Sequence, residues 1–210
     1  PHQMEQLSLD IIADGFMVQT RRIAADMGVP DIKAIILDAH TSAPDLETLL
    51  IMGHVPVPYS GNLLGVHTNH QGAWPADLFY GDLDGVWTDN SVYNVSAAWP
   101  ENHNVPGDGK FDQTFLPSDV ELQVGRIDLS NMPAFPLDEL HLVQRYLERN
   151  HAYRTCEIAP ERRGLIDDNV GDADGLAFAA FGWRNFTAMF GPDTVVEADY
   201  FTTMQAESYL

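Results

Sequence analysis

The densest chemistry in this 210-residue sequence lies in two short acidic stretches, "GDLDGVWTDN" and "NVPGDGKFD". The first carries Asp82, Asp84 and Asp89. The second offers Asn104, Asp108, the Lys110 carbonyl and Asp112 at spacings that partly imitate a calcium loop, with Gly109 permitting the tight turn. Hard carboxylate and carbonyl oxygens are the ligands calcium takes. The imitation is incomplete: Pro106 falls where a liganding side chain belongs, and no Glu follows at the closing position. Two readings therefore stand side by side. Calcium is a structural ion at one or both loops, bound by Asp82, Asp84, Asp89, Asn104, Asp108 and Asp112, or the same residues make ordinary Asx turns.

The other candidates read more plainly. Cys156 is the only thiol, so neither an intrachain disulfide nor a cysteine-rich zinc site can form. It lies in the connection "RTCEIAP", where His151 is near in sequence but no triad geometry follows from that, and an inert, partly buried cysteine is the better reading. His67 and His70 form H-x-x-H, yet "GVHTNHQGAW" reads as a loop, and no third zinc ligand is in place. Asp167, Asp168, Asp172 and Asp174 follow the apolar "GLI". Paired carboxylates there suit hydrolysis or magnesium, but no phosphate cradle or basic clamp accompanies them, and helix capping explains them as well. Trp74, Trp87 and Trp99 suit either stacking on sugar rings or packing a long loop onto a sheet, and the second is favoured. No residue in view is assigned a catalytic role.

Elements must position these groups. Apolar residues from Met4 to Met27 recur at roughly helical spacing and predict one or two helices before "GVP". "IKAIILDAH" reads as a continuous buried strand, and "LETLLIMGHVPVP" as a second. Periodicity fades between Tyr59 and Pro117, where Gly, Asn, Asp, Pro and Trp accumulate as in long loops and short edge strands. "DVELQVGRIDLS" resumes strand character. "LDELHLVQRYLERNHAYR" follows as a helix, with Leu137, Leu140, Val143, Tyr146 and Leu147 on one face. "GLIDDN" reads as a parallel strand, 175–190 as a buried helix with Ala177, Ala179 and Ala180 as close-packing positions, and "TVVEADYF" as a strand. The pattern predicts an α/β protein of parallel-sheet layers flanked by helices. Its expected domains are 1–155, with the acidic loop insertion at about 59–117, and 156–210.

Composition narrows the partners. Thirty-one acidic residues against 11 basic ones give a formal charge of -20, which repels nucleic acid and anionic membrane surfaces. The longest apolar stretches fall far short of the roughly 20 residues of a spanning helix, so no membrane insertion is expected. The chain opens at Pro1 with no basic n-region or apolar h-region, so an export signal is expected outside it.

The order of five segments resembles the gingipain-type cysteine peptidases: "MGHVPVPYS", "PADLFYGDLDG", "PSDVELQVGRIDLS", "RYLERNHAYR" and "RRGLIDDN". His54 stands where an acidic residue is common in that family, and Glu121 and Leu122 make the "GR" strand unusual. The resemblance implies a first α/β subdomain followed by the start of a caspase-like one. It implies a polypeptide substrate cut through a Cys/His dyad placed after Leu210, and a secreted or cell-surface location. On that reading the 210 residues by themselves do not hydrolyse peptides. The alternative is a noncatalytic, calcium-stabilised surface or adhesion module on the same scaffold, and a glycan-associated domain using the tryptophans is a third possibility.

Overall fold

The computed structural model describes residues 2–199 apart from 66, 134, 160, 169–171, 174, 175 and 178, and only the backbone of residues 172, 173, 176 and 177. It is mixed α/β, with short parallel sheets and helices. The chain forms two compact units, one of Pro1–Val18 with Leu140–Leu210 and the other of Gln19–Glu139. That division differs from a boundary at 155, because the first helix belongs with the last third of the chain.

In the first unit, α1 spans His2–Ala13 and buries Leu7 and Asp10. The predicted helical spacing continues past Ala13, but the backbone from Asp14 to Gly28 is not helical.

The second unit begins with α2, Val29–Ser42, over the segment whose apolar run predicts a strand. The strand reading is wrong for a physical reason. Ile32, Ile36 and Ala39 are buried at helical spacing, whereas Ala34 and Leu37 are exposed, so the burial period is near 3.6 and not 2. Pro30 sits in the first turn, where its missing N–H costs nothing, and Asp31 there and His40 in the last turn suit the helix dipole. Strand β1, Thr48–Met52, follows. Next come β2, Tyr59–Leu63, and β3, Gly72–Pro75, an antiparallel pair, then α3, a single turn at Leu78–Gly81. Strand β4, Gln123–Ile127, pairs parallel to β1 in the register Thr48 to Gln123 through Met52 to Ile127. The predicted strands over "LETLLIMGHVPVP" and "DVELQVGRIDLS" are thus neighbours, each confined to the five residues of β1 or β4. Between them lies a long connection with little regular structure, as the Gly- and Asn-rich composition implies.

The core of this unit gathers Ile32, Ile36, Ile51, Val55, Phe79, Tyr80, Phe111 and Leu122. Phe79 and Phe111 stack with centroids 4.3 Å apart, and Trp87 meets them edge-on at 5.4 and 5.6 Å. The loop aromatics Trp87 and Phe111 are therefore packing groups that anchor this irregular segment to the core.

The first unit resumes with α4, Glu139–Arg154. Its buried residues are Leu142 and Leu147, while Leu140 is 64% exposed, so the inward face is not the one drawn through Leu140. Leu147, His151 and Arg154 lie at i, i+4 and i+7. His151 Nδ1 bonds Asp10 at 2.9 Å, and Arg154 pairs with Asp14 just past α1, so polar side chains link the end of α4 to α1. Strand β5, Gly164–Ile166, follows, then a small antiparallel hairpin of β6, Asp172–Ala173, and β7, Leu176–Ala177. Helix α5, Ala180–Phe190, leads to β8, Val195–Glu197, parallel to β5. The β5–α5–β8 order is the crossover that parallel pairing requires. The predicted helix over 175–190 begins only at Ala180, since Leu176 and Ala177 are in β7. Asp174 and the end of "TVVEADYF" lie outside the described residues, as does "ESYL".

Candidate metal centre

Helix α3 is too short to satisfy its own C-terminal carbonyls, and the site is built on that deficit. The Lys33 ammonium reaches across from α2 and donates to the Phe79 and Asp82 carbonyls, both at 2.5 Å. A cation at a helix C-terminus is electrostatically favoured. Burial pushes the Lys33 amine down to about 8, although Asp82 and Glu121 pull it the other way.

Asp82 immediately follows α3 and is completely buried. Its Oδ1 accepts from the Gly85 N–H at 2.8 Å and the Ser118 hydroxyl at 2.6 Å, and its Oδ2 from the Trp87 indole N–H at 3.0 Å. Gly85 is required: a Cβ there would collide with the Asp82 carboxylate. The backbone N–H groups of Glu121 and Leu122 both donate to the Gly81 carbonyl at 3.1 Å. That pairing carries the Glu121 carboxylate to the turn, where its Oε2 accepts from Leu83 N–H at 2.5 Å. Asp82, Asp84 and Glu121 thereby offer carboxylate oxygens that all lie within 4.8 Å of one another. Asp84 and Glu121 are exposed and Asp82 is buried. Three hard oxygen donors, with two of the side chains open to solvent, could hold a metal ion.

Two of the six sequence candidates, Asp82 and Asp84, therefore meet, and Glu121 joins them. Glu121 was missed as a ligand because it is distant in sequence and belongs to no loop-like pattern. The other four residues make different bonds. Asp89 accepts from Gly107 and Gly109 N–H, both at 2.7 Å. Asp108 accepts from Val105 and Lys110 N–H at 3.1 and 2.9 Å. Asp112 accepts from the N–H groups of Asn90, Ser91 and Val92 and from the Thr88 hydroxyl. Burial would raise the Asp112 carboxyl, but those donors outweigh it and hold it far below the usual carboxylate range. Asn104, fully buried, donates to the Gly61 and Phe111 carbonyls. These side chains tie the loop together through backbone groups.

The remaining candidates are dispersed. Cys156, expected to be partly buried, is instead exposed, because it lies in the turn just past α4, with φ 62°. His67 and His70 touch edge to face, His70 in a single 3-10 turn, and both are exposed. Asp168 accepts from the Trp183 indole at 3.0 Å. Trp74 and Trp99 are partly exposed, in β3 and in the loop. At the carboxyl ends of β1 and β4, His54 Nδ1 lies 3.0 Å from Asp128 and 2.8 Å from the Ser130 hydroxyl. Both partners use the same ring nitrogen, so this is not a Ser–His–Asp relay, which needs the two nitrogens on opposite partners.

Arg126 of β4 ties three of the quoted segments to one point. It forms a two-pronged ion pair with Asp77 at 2.7 and 2.8 Å and donates to the Val55 and Pro56 carbonyls at 2.6 and 3.3 Å. The Tyr80 hydroxyl also donates to Pro56, at 2.8 Å. Among the described residues no helix is long and apolar enough to cross a membrane. No family model, curated protein or solved structure matches this chain.

Proposed function

We propose that these residues are the scaffold part of a gingipain-type cysteine endopeptidase, stabilised by calcium at Asp82, Asp84 and Glu121, whose Cys/His dyad lies elsewhere in the polypeptide. The observation that supports this reading is the Arg126 clamp. "MGHVPVPYS", "PADLFYGDLDG" and "QVGRIDLS" carry the resemblance and are far apart in sequence, yet Arg126, Asp77, Val55, Pro56 and Tyr80 join them in a single hydrogen-bonded knot. Segments that recur in order and also meet in space are what a common scaffold requires. The β5–α5–β8 unit is then the opening of the caspase-like subdomain.

Cys156 is not the nucleophile on this reading. A thiol nucleophile needs a neighbouring imidazole or another source of thiolate stabilisation, and the Cys156 side chain is exposed and makes no hydrogen bond among the described residues. The test is an assay of polypeptide cleavage by the 210-residue chain alone: no hydrolysis is expected, and thiol-dependent hydrolysis would overturn the placement of the dyad. The carboxylate group favours a second reading, a noncatalytic calcium-stabilised module on the same scaffold. Calcium binding without peptidase activity in the whole natural polypeptide would select it.

A further inference from the structure

Independent of the reading above, the stretch that follows α1 has the chemistry of a peptidase substrate. The backbone from Asp14 to Gly28 is not helical. From Met17 to Ile23, among the described residues, no N–H or C=O bonds another backbone group. Gln19, Thr20, Arg21 and Arg22 are four consecutive exposed residues. An extended segment is recognised as an added strand, through its main-chain groups and its alternate side chains, so a stretch with both open is the kind that is nicked. The two arginines are open as well. The Arg21 guanidinium donates to the neighbouring Thr20 carbonyl at 3.4 Å and the Gln19 side-chain oxygen at 3.1 Å. Arg22 makes no side-chain bond, and neither arginine pairs with a carboxylate, among the described residues of a chain with 31 acidic ones.

The other basic residues are guarded. Lys33, Arg145, Arg149, Arg154 and Arg184 lie in helices and Arg126 in β4, where the backbone is already bonded. Lys110 is tied to Asp108 and to the His103 carbonyl. The second basic pair, Arg162 and Arg163, runs straight into β5 at Gly164, and Arg163 bonds Glu161 through both its side chain and its N–H. We propose that Arg21–Arg22 is a processing site for a peptidase that cuts after basic residues, and that the cut releases α1. Water adds across the peptide bond after Arg21 or Arg22, leaving a carboxylate on that arginine and an ammonium on the residue that follows. Ile23 and Met27 pack against the core of the second unit and stay with it. Helix α1 loses its covalent tie to α2. It buries only Leu7 and Asp10, and Asp10 to His151 and Asp14 to Arg154 join it to α4. A helix of 12 residues is marginal by itself in water, so the severed piece should leave and strip His151 of its carboxylate partner.

Two measurements test this. In the first, the 210-residue chain is digested with a trace of trypsin and the fragments are weighed by mass spectrometry. The first products should be cut after Arg21 or Arg22, and gel filtration of the digest should separate the piece that carries α1 from the rest. The double variant Arg21→Gln, Arg22→Gln should keep its melting temperature, since both side chains are exposed, and stay whole over the time in which the parent is fully cut. In the second, the natural polypeptide taken from the cells that make it should include chains whose amino terminus is Arg22 or Ile23. The proposal is overturned if trypsin cuts first at any other basic residue, if the folded double variant is cut as fast as the parent, if the severed piece stays bound, or if no natural chain begins at Arg22 or Ile23.

Discussion

Arg126 and Asp77 face each other through two parallel hydrogen bonds of 2.7 and 2.8 Å, with the Arg126 side chain 15% exposed and that of Asp77 28% exposed. The Asp77 bond, then the opposing effect of burial, leave the guanidinium more basic than usual. Arg126→Ala removes the pair, leaves the Val55 carbonyl without its side-chain donor and leaves Pro56 with only the Tyr80 hydroxyl. A loss of about 3 kcal/mol is expected, measured by urea unfolding. Arg126→Lys should recover only part of it, since an ammonium cannot make the two-pronged contact.

Acid should loosen the long loop through Asp112. Its folded carboxyl is held below the ordinary value, so the unfolded chain takes up a proton first as pH falls. The stabilisation is complete above the unfolded pKa of about 3.9 and is lost progressively below it. Asp112→Asn should flatten this dependence and cost about 1 to 3 kcal/mol near neutrality, because a single amide oxygen cannot serve four donors. Chemical denaturation as a function of pH reads both effects.

Lys33 should give a dependence of the same sign in a higher pH range. Its folded value of about 8 lies below that of an unfolded lysine, so between these values the unfolded chain binds more protons and stability rises with pH. Below pH 8 the full cost of holding the buried ammonium is present. In Lys33→Met that rise between about pH 8 and 10 should vanish, provided the variant folds. Unfolding free energies across this window check it.

Calcium should raise the melting temperature. At a hundredfold excess over Kd the stabilisation is about 2.7 kcal/mol, or several degrees for a chain of this size. Asp84→Asn and Glu121→Gln should each weaken the effect, whereas Asp108→Asn should not. Calorimetry with and without chelator distinguishes these outcomes, and an unchanged melting curve contradicts the site.

How much of this was legible in the sequence depends on the range of the interactions. The β1 and β4 runs, α4 and the β5–α5–β8 order stand out because their apolar patterns are local. The α2 segment misled because a short run of Ile, Ala and Leu has no visible period until Lys33 is known to be buried. The inward face of α4 was hidden because the buried Leu142 and Leu147 are continued along it by His151, polar by type, which meets Asp10. Among the acidic residues composition suggested calcium throughout, but of the described residues only Asp82, Asp84 and Glu121 bring carboxylate oxygens within 4.8 Å of one another, while Asp89, Asp108 and Asp112 tie the loop to itself. No spacing rule reveals Glu121, which a hydrogen bond to Gly81 brings in from 40 residues away in sequence. The function of Lys33 as a cap for α3 is non-local in the same way.

The central claim is that these residues serve a thiol peptidase without supplying its thiol. The direct measurement is peptide hydrolysis by the whole natural polypeptide that carries them, with and without Cys156→Ser and with and without a thiol-blocking reagent. The account predicts hydrolysis that the reagent abolishes and that Cys156→Ser leaves unchanged. Loss of activity in Cys156→Ser with the fold intact, or no thiol-dependent hydrolysis at all, would contradict it.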